Sequence, residues 1–231
     1  MPTVSPIRLL AFATVVASLA GCGDGDPAGA PKPPASGAPT PPAAAAPAGP
    51  SVGPVGTATD DAVDASTWTV STAASDAKIA EVGGLVFPKP PTWIWTSPRV
   101  RFRTLQYDVP GVEGGAGAAE LVFSLFLGGD GGPTDMNIDR WVGQFRGPDG
   151  GPADATTSTE ERGGLVIHRV ETAGDYQAMG QPAPRPGQMQ LGAIVEAPGR
   201  RVFVRLVGPD ATVEAAREDF DRLVAGVMPG G

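Results

Sequence analysis

The chain has one cysteine, one histidine and two tyrosines in 231 residues, and only 18% of its residues are charged. A single cysteine closes no internal disulfide, and one cysteine with one histidine builds no Cys/His zinc site. Positive charge is also short, with 17 Lys and Arg against 25 Asp and Glu and a formal net charge of −8. This balance argues against a nucleic-acid binder, whose affinity would rest on neutralising phosphates. What is plentiful is glycine (33) and proline (26), and the two ends differ so much in composition that one folded domain is expected, not two.

The N-terminus carries the most specific pattern. Arg8 is the only charge among the first 23 residues, and Leu9 to Ala20 form a 12-residue apolar run. Crossing a bilayer takes roughly 20 helical residues, so this run is too short to span. A basic residue, a short apolar core and a small-residue site describe an export signal over residues 1–21. Leu19-Ala20-Gly21-Cys22 closely resembles the lipobox of bacterial lipoprotein precursors, in which an aliphatic and two small residues precede an invariant cysteine. That resemblance implies a diacylglyceryl thioether on Cys22, cleavage before it, and acylation of the new amino group. The chemistry needs a thiolate nucleophile, and the chain's only cysteine stands where it would be used. Several acyl chains anchor stably where one does so only marginally, at about 0.8 kcal/mol per buried CH₂.

Residues 22–65 read as a tether. Pro27 to Thr57 holds 10 Pro, 9 Ala and 5 Gly in 31 residues, with Lys32 as its only charge. Such a stretch buries too little apolar surface to offset chain entropy and is expected to stay disordered or polyproline-like. An acidic body is poorly suited to lying on an anionic leaflet, so a spacer is physically useful.

Residues 66–229 are expected to form one α+β domain, an antiparallel sheet flanked by two amphipathic helices. Arg99, Arg101 and Arg103 alternate with Val100 and Phe102, which predicts a strand continuing through a bulge near Thr104 to Tyr107. The glycine-rich stretch 111–117 predicts a hairpin loop, and Glu120 to Leu127 a central strand covered on both sides. Ile138, Trp141, Val142 and Phe145 recur at helical spacing behind Pro133, Thr134 and Asp135. Strands are expected again at Leu165 to Val170, Met189 to Glu196 and Arg201 to Val207, with a turn at 197–200. Asp210 is expected to cap a last helix carrying Val213, Ala216, Phe220, Leu223, Val224 and Val227 on one face.

Gly83 to Pro88 (GGLVFP) with Trp93, Asn137 to Phe145 (NIDRWVGQF), Leu191 to Glu196 (LGAIVE), and Val204 to Pro209 resemble a group of uncharacterised bacterial lipoproteins. The resemblance spans nearly the whole exported domain and brings no catalytic residues with it. More remotely, the order of strands, a helix after the middle of the sheet and a closing helix is similar to the PsbP-like and DcrB-like fold.

Residue by residue, catalytic chemistry finds little support. His168 shares a strand face with Val166 and Val170 and reads as a structural or edge histidine. No G-x-S-x-G elbow is present. Asp130, Asp135, Asn137 and Asp139 lack the spacing of an EF-hand and read as loop and cap groups, so no metal is expected. Glu160 with Glu161, and Glu218 with Asp219, are adjacent pairs whose side chains point apart. Trp93, Trp95 and Trp141 read as core or rim packing. On one strand face, Arg99, Arg101 and Arg103 would form an anion-binding ladder for a carboxylate or phosphate. Cross-strand pairing with carboxylates is the simpler alternative. These arginines are the candidate ligand-binding residues.

The function expected is therefore that of a non-catalytic binding or accessory module without a cofactor, held by Cys22 to a membrane of the bacterial cell envelope and facing the periplasm or exterior. Its partner would be an envelope protein or glycan. An envelope enzyme using carboxylates and arginines, or a passive structural lipoprotein, are the alternatives.

Overall fold

The computed structural model describes residues 64–113 and 117–230. The expected signal peptide, Cys22, most of the expected tether and residues 114–116 of the expected hairpin loop lie outside the described residues. Among the described residues there are eleven strands, all paired antiparallel, most of them marked by apolar residues at a period of two. They are β1 (Ile79–Val82), β2 (Leu85–Pro88), β3 (Ile94–Trp95), β4 (Leu105–Val109), β5 (Ala119–Leu127), β6 (Phe145–Arg146), β7 (Ala155–Arg162), β8 (Leu165–Tyr176), β9 (Arg185–Ala197), β10 (Arg200–Pro209) and β11 (Met228–Pro229). Three helices join them: α1 (Thr134–Val142), α2 (Asp210–Ala215) and α3 (Arg217–Ala225). The architecture is mixed, with antiparallel sheets and a few helices.

The large sheet runs β3-β4-β5-β10-β9-β8, with β7 and β6 sharing the outer edge of β8, while β1, β2 and β11 make a small second sheet. Glycine pairs close two hairpins: Gly83 and Gly84 (φ 60° and 64°) join β1 to β2, and Gly163 and Gly164 (57° and 77°) join β7 to β8. Two consecutive left-handed residues are what a two-residue hairpin loop requires.

Strand periodicity gives the large sheet two unlike faces. One carries Leu105 and Tyr107 of β4, Leu121 and Phe123 of β5, Val202, Val204 and Leu206 of β10, and Leu191, Ala193 and Val195 of β9. Val213 of α2, Phe220, Leu223 and Val224 of α3, and Phe87 of β2 join the same cluster. The second face is covered only in part. Trp141 of α1 packs there on Val170, Ile194 and Phe203. Gly192 makes this approach possible, since a Cβ on it would stand 3.0 Å from Trp141 and 2.9 Å from Val170.

Several sequence expectations need correction. Residues 99–104 are not a strand, because Arg103 N–H donates to Val100 O at 3.2 Å and closes a turn in which Phe102 has φ 69°. That turn reverses the chain, so the alternation of Arg99, Arg101 and Arg103 does not place them on one sheet face, and the strand begins at Leu105. The closing helix is broken at Ala216 into α2 and α3. Phe145 lies beyond α1 and starts a short strand. β7 had no signal to give, since every one of its residues is exposed and no apolar alternation marks it.

Candidate anion-binding cleft

The uncovered part of the second face is a cleft of about 610 Å³. Its floor comes from alternate residues of β5 (Glu120, Val122, Ser124, Phe126) and β10 (Phe203, Arg205, Val207). One wall is α1 and the turn after it, with Asn137, Arg140, Trp141 and Gln144. Opposite stands the turn Val100 to Arg103, and Tyr176, Met179 and Arg185 close the end. The volume falls within the ~300–1,000 Å³ of small-molecule sites.

Five arginines line this cleft against one carboxylate, Glu120, in a chain whose net charge is negative. Arg103 is the paired one: its Nη1 meets Glu120 at 3.1 Å and Gln106 at 2.8 Å. The other four reach no carboxylate among the described residues. Arg140 donates to Asn137 Oδ1 at 2.7 Å. Arg101 lies over the Phe102 ring at 4.8 Å and Arg185 over Tyr176 at 5.3 Å. Outside the cleft, Arg169, Arg201, Arg217 and Arg222 meet carboxylates within 4 Å, while among the described residues Arg146, Arg162 and Arg200 bond only backbone carbonyls.

Arg205 is the most confined of the five. Its Nε donates to Gln190 Oε1 at 2.9 Å, its Nη2 to Gln144 Oε1 at 2.8 Å and to Gln190 again. The guanidinium also lies 5.0 Å from the centre of the Trp141 ring. These are neutral partners, and Gln190 is itself fully buried. Burial brings the Arg205 guanidinium down to about 10, Tyr176 opposes this, and the nearby charges of Arg140 and Arg103 add to it. A positive charge held in low dielectric without a counter-ion is costly. A bound carboxylate or phosphate removes that cost, and guanidinium geometry favours both.

The structure thus brings Arg101 and Arg103 to the cleft and leaves Arg99 off its lining. Arg140, Arg185 and Arg205 were not among the sequence candidates. Arg205 did leave a signal: it is the one charged residue inside the apolar run Val202 to Val207, on the face opposite the core. Trp93 is buried in the core and Trp95 half-buried, its Nε1 donating to Ser71 O at 3.2 Å. His168 sits outside the cleft between Thr159 (3.0 Å) and Glu196 (3.6 Å). Asn137 Nδ2 ties down the approach to α1 through the Gly131 and Pro133 carbonyls, at 2.7 and 2.8 Å. Asp135 accepts from the Met136 N–H. Among the described residues no three His, Cys, Asp or Glu side chains converge as a metal site would require.

No protein-family model matches the chain, and no curated protein matches it. Solved structures do. The chain is similar to a protein of unknown function from Pseudomonas aeruginosa at 13% identity, over 59% of this chain and 90% of that one, with a TM-score of 0.41. It is also similar to the cyanobacterial PsbP protein of a Synechocystis species, CyanoP, at 12% identity over 70% of this chain and 98% of that one, with a TM-score of 0.44. The likeness is remote and concerns the fold.

Proposed function

We propose that this protein is a bacterial cell-envelope lipoprotein, anchored by acyl chains on Cys22, whose domain is a non-catalytic binding module for a small anionic ligand. The lipobox Leu19 to Cys22 supports the anchor and the Pro/Ala-rich stretch supports a tether. One observation carries the binding site: Arg205 lies in the cleft with the neutral partners Gln190, Gln144 and Tyr176 and no carboxylate among the described residues, beside Arg140. Acid/base chemistry needs carboxylates free to exchange protons, whereas the single lining carboxylate, Glu120, is held by Arg103 and by Gln106 Nε2 at 3.1 Å. This favours binding over catalysis. Arg101 and Arg103 remain part of the candidate site, and Arg99 is retained only as a neighbour of the turn that carries them.

The test is thermal unfolding in the presence of acetate, citrate, inorganic phosphate and laurate. At least one of these anions is expected to raise the Tm of the wild-type chain and to leave Arg205→Gln unmoved, as mass action requires of a ligand that binds only the native state. No shift with any anion, or equal shifts in both proteins, would contradict the assignment.

A further inference from the structure

The cleft says more about its occupant than a sign of charge. At its mouth stand three large apolar side chains in water: Val100 is 58% exposed, Phe102 66% and Met179 81%. Isolated exposed apolar residues are ordinary, but a group rimming a concave site marks an interaction surface. Phe102 is also held at φ 69°, a conformation suited to glycine and strained for a bulky residue. Glycine at that place would close the same turn without strain, so the ring itself is what the turn supplies. It lies over Phe126 at 6.4 Å with the planes 30° apart. Phe126 in turn packs on Phe203 at 4.7 Å, and Trp141 meets Phe203 edge-on at 5.5 Å. An aromatic floor therefore runs from the mouth toward Arg205.

Two of the polar side chains of the walls are engaged within the protein. Gln144 Oε1 accepts from Arg205, and Asn137 bonds both Arg140 and the backbone before α1. A sugar or other many-hydroxyl ligand needs free donors and acceptors set at fixed places, since a buried unpaired hydroxyl costs more than it returns. Besides a few scattered polar groups, Ser124, the Tyr176 hydroxyl and Gln144 Nε2, what the lining offers is guanidinium charge and apolar surface.

Resting on the anion-binding reading, we infer that the ligand is an amphipathic anion: one carboxylate or phosphate group held between Arg205 and Arg140, on an apolar body that lies along Phe203 and Phe126 beneath Phe102. Charge complementarity places the head, and burial of Phe102 and Met179 against the ligand's apolar body supplies the apolar gain. A neutral amphiphile leaves Arg205 desolvated and unpaired, and a compact hydrophilic anion leaves the aromatic floor wet. Neither satisfies both halves of the site.

Isothermal titration calorimetry tests this on the chain carrying Cys22→Ser, which removes the proposed acyl anchor and the need for detergent. The probes are laurate, dodecyl phosphate, dodecyl maltoside and citrate, all below micelle-forming concentrations. Laurate or dodecyl phosphate is expected to bind one to one, at least tenfold tighter than dodecyl maltoside or citrate. Arg205→Gln is expected to weaken that binding at least tenfold, and Phe102→Ser, on an exposed turn that leaves the core untouched, at least threefold. If citrate binds as tightly as laurate and loses its affinity in Arg205→Gln, the site takes hydrophilic anions: the amphiphile inference is overturned and the anion-binding reading stands. If laurate binds equally to wild type and Arg205→Gln, or no probe binds, both are overturned.

Discussion

Arg205 shows how a residue can be a poor contributor to folding and a good one to binding. Its side chain leaves water for two amide oxygens and an indole face, which return less than a carboxylate would. Because burial lowers its pKa to about 10 on folding, the folded protein gives up this proton more readily than the unfolded chain. The cost to stability is therefore fully present below pH of about 10 and is relieved as the pH rises through that value. Ligand affinity runs the other way, because the anion needs the guanidinium charged. Titration of laurate against pH is expected to show constant affinity across the neutral range and a fall above about 10; a fall centred near neutrality would point to a different group. Phe102 gives the complementary case. Phe102→Gly relieves the left-handed strain, so the Tm is expected to stay level or rise while the apolar part of the binding is lost.

At the scale of elements, the cleft exists because α1 covers only part of the second sheet face. Gly192 on β9 sets how closely α1 can sit, through the contact of Trp141 with Val170, Ile194 and Phe203. Gly192→Ala is expected to cost about 1–3 kcal/mol by overpacking and to weaken anion binding, since the helix it displaces carries Arg140 and Trp141. Denaturant unfolding together with calorimetry checks both effects; unchanged binding in a destabilised variant would show that the wall does not depend on this contact. Elements whose burial writes a period into the chain were legible: β5, β9, β10 and α1 all lie close to where apolar spacing puts them. β7 was not, because an edge strand exposed on both faces writes no period. The turn at 100–103 misled for a different reason, since alternation of Arg with Val and Phe reads as strand until the left-handed Phe102 reverses the chain. Arg101 and Arg103 were thus found for the wrong geometric reason, while Arg140, Arg185 and Arg205 come from three separate elements that only the tertiary fold brings together.

At the scale of the molecule, an acidic chain concentrates positive charge in one cleft. The surrounding acids repel anions at long range, whereas the arginines attract them at contact. The contact is partly shielded from solvent, so raising salt from about 0.1 M to about 1 M, which shortens the screening length from about 10 Å to about 3 Å, is expected to weaken laurate binding only a fewfold. A loss of more than a hundredfold would place the ligand on an exposed surface instead. Among the described residues no helix is long and apolar enough to cross a membrane, and the proposed anchor is chemical. Fatty-acid label is expected on the wild-type chain and not on Cys22→Ser, which is released from the membrane fraction; label that persists on the variant would contradict lipidation at Cys22. The measurement closest to the central claim is the NMR signal of the Arg205 Nε–H, assigned by its loss in Arg205→Gln and followed while laurate is added. It is expected to shift saturably at one-to-one stoichiometry while that of Arg222, which is paired with Asp219, stays in place. An Arg205 signal that does not move as laurate is added would contradict the cleft as the binding site.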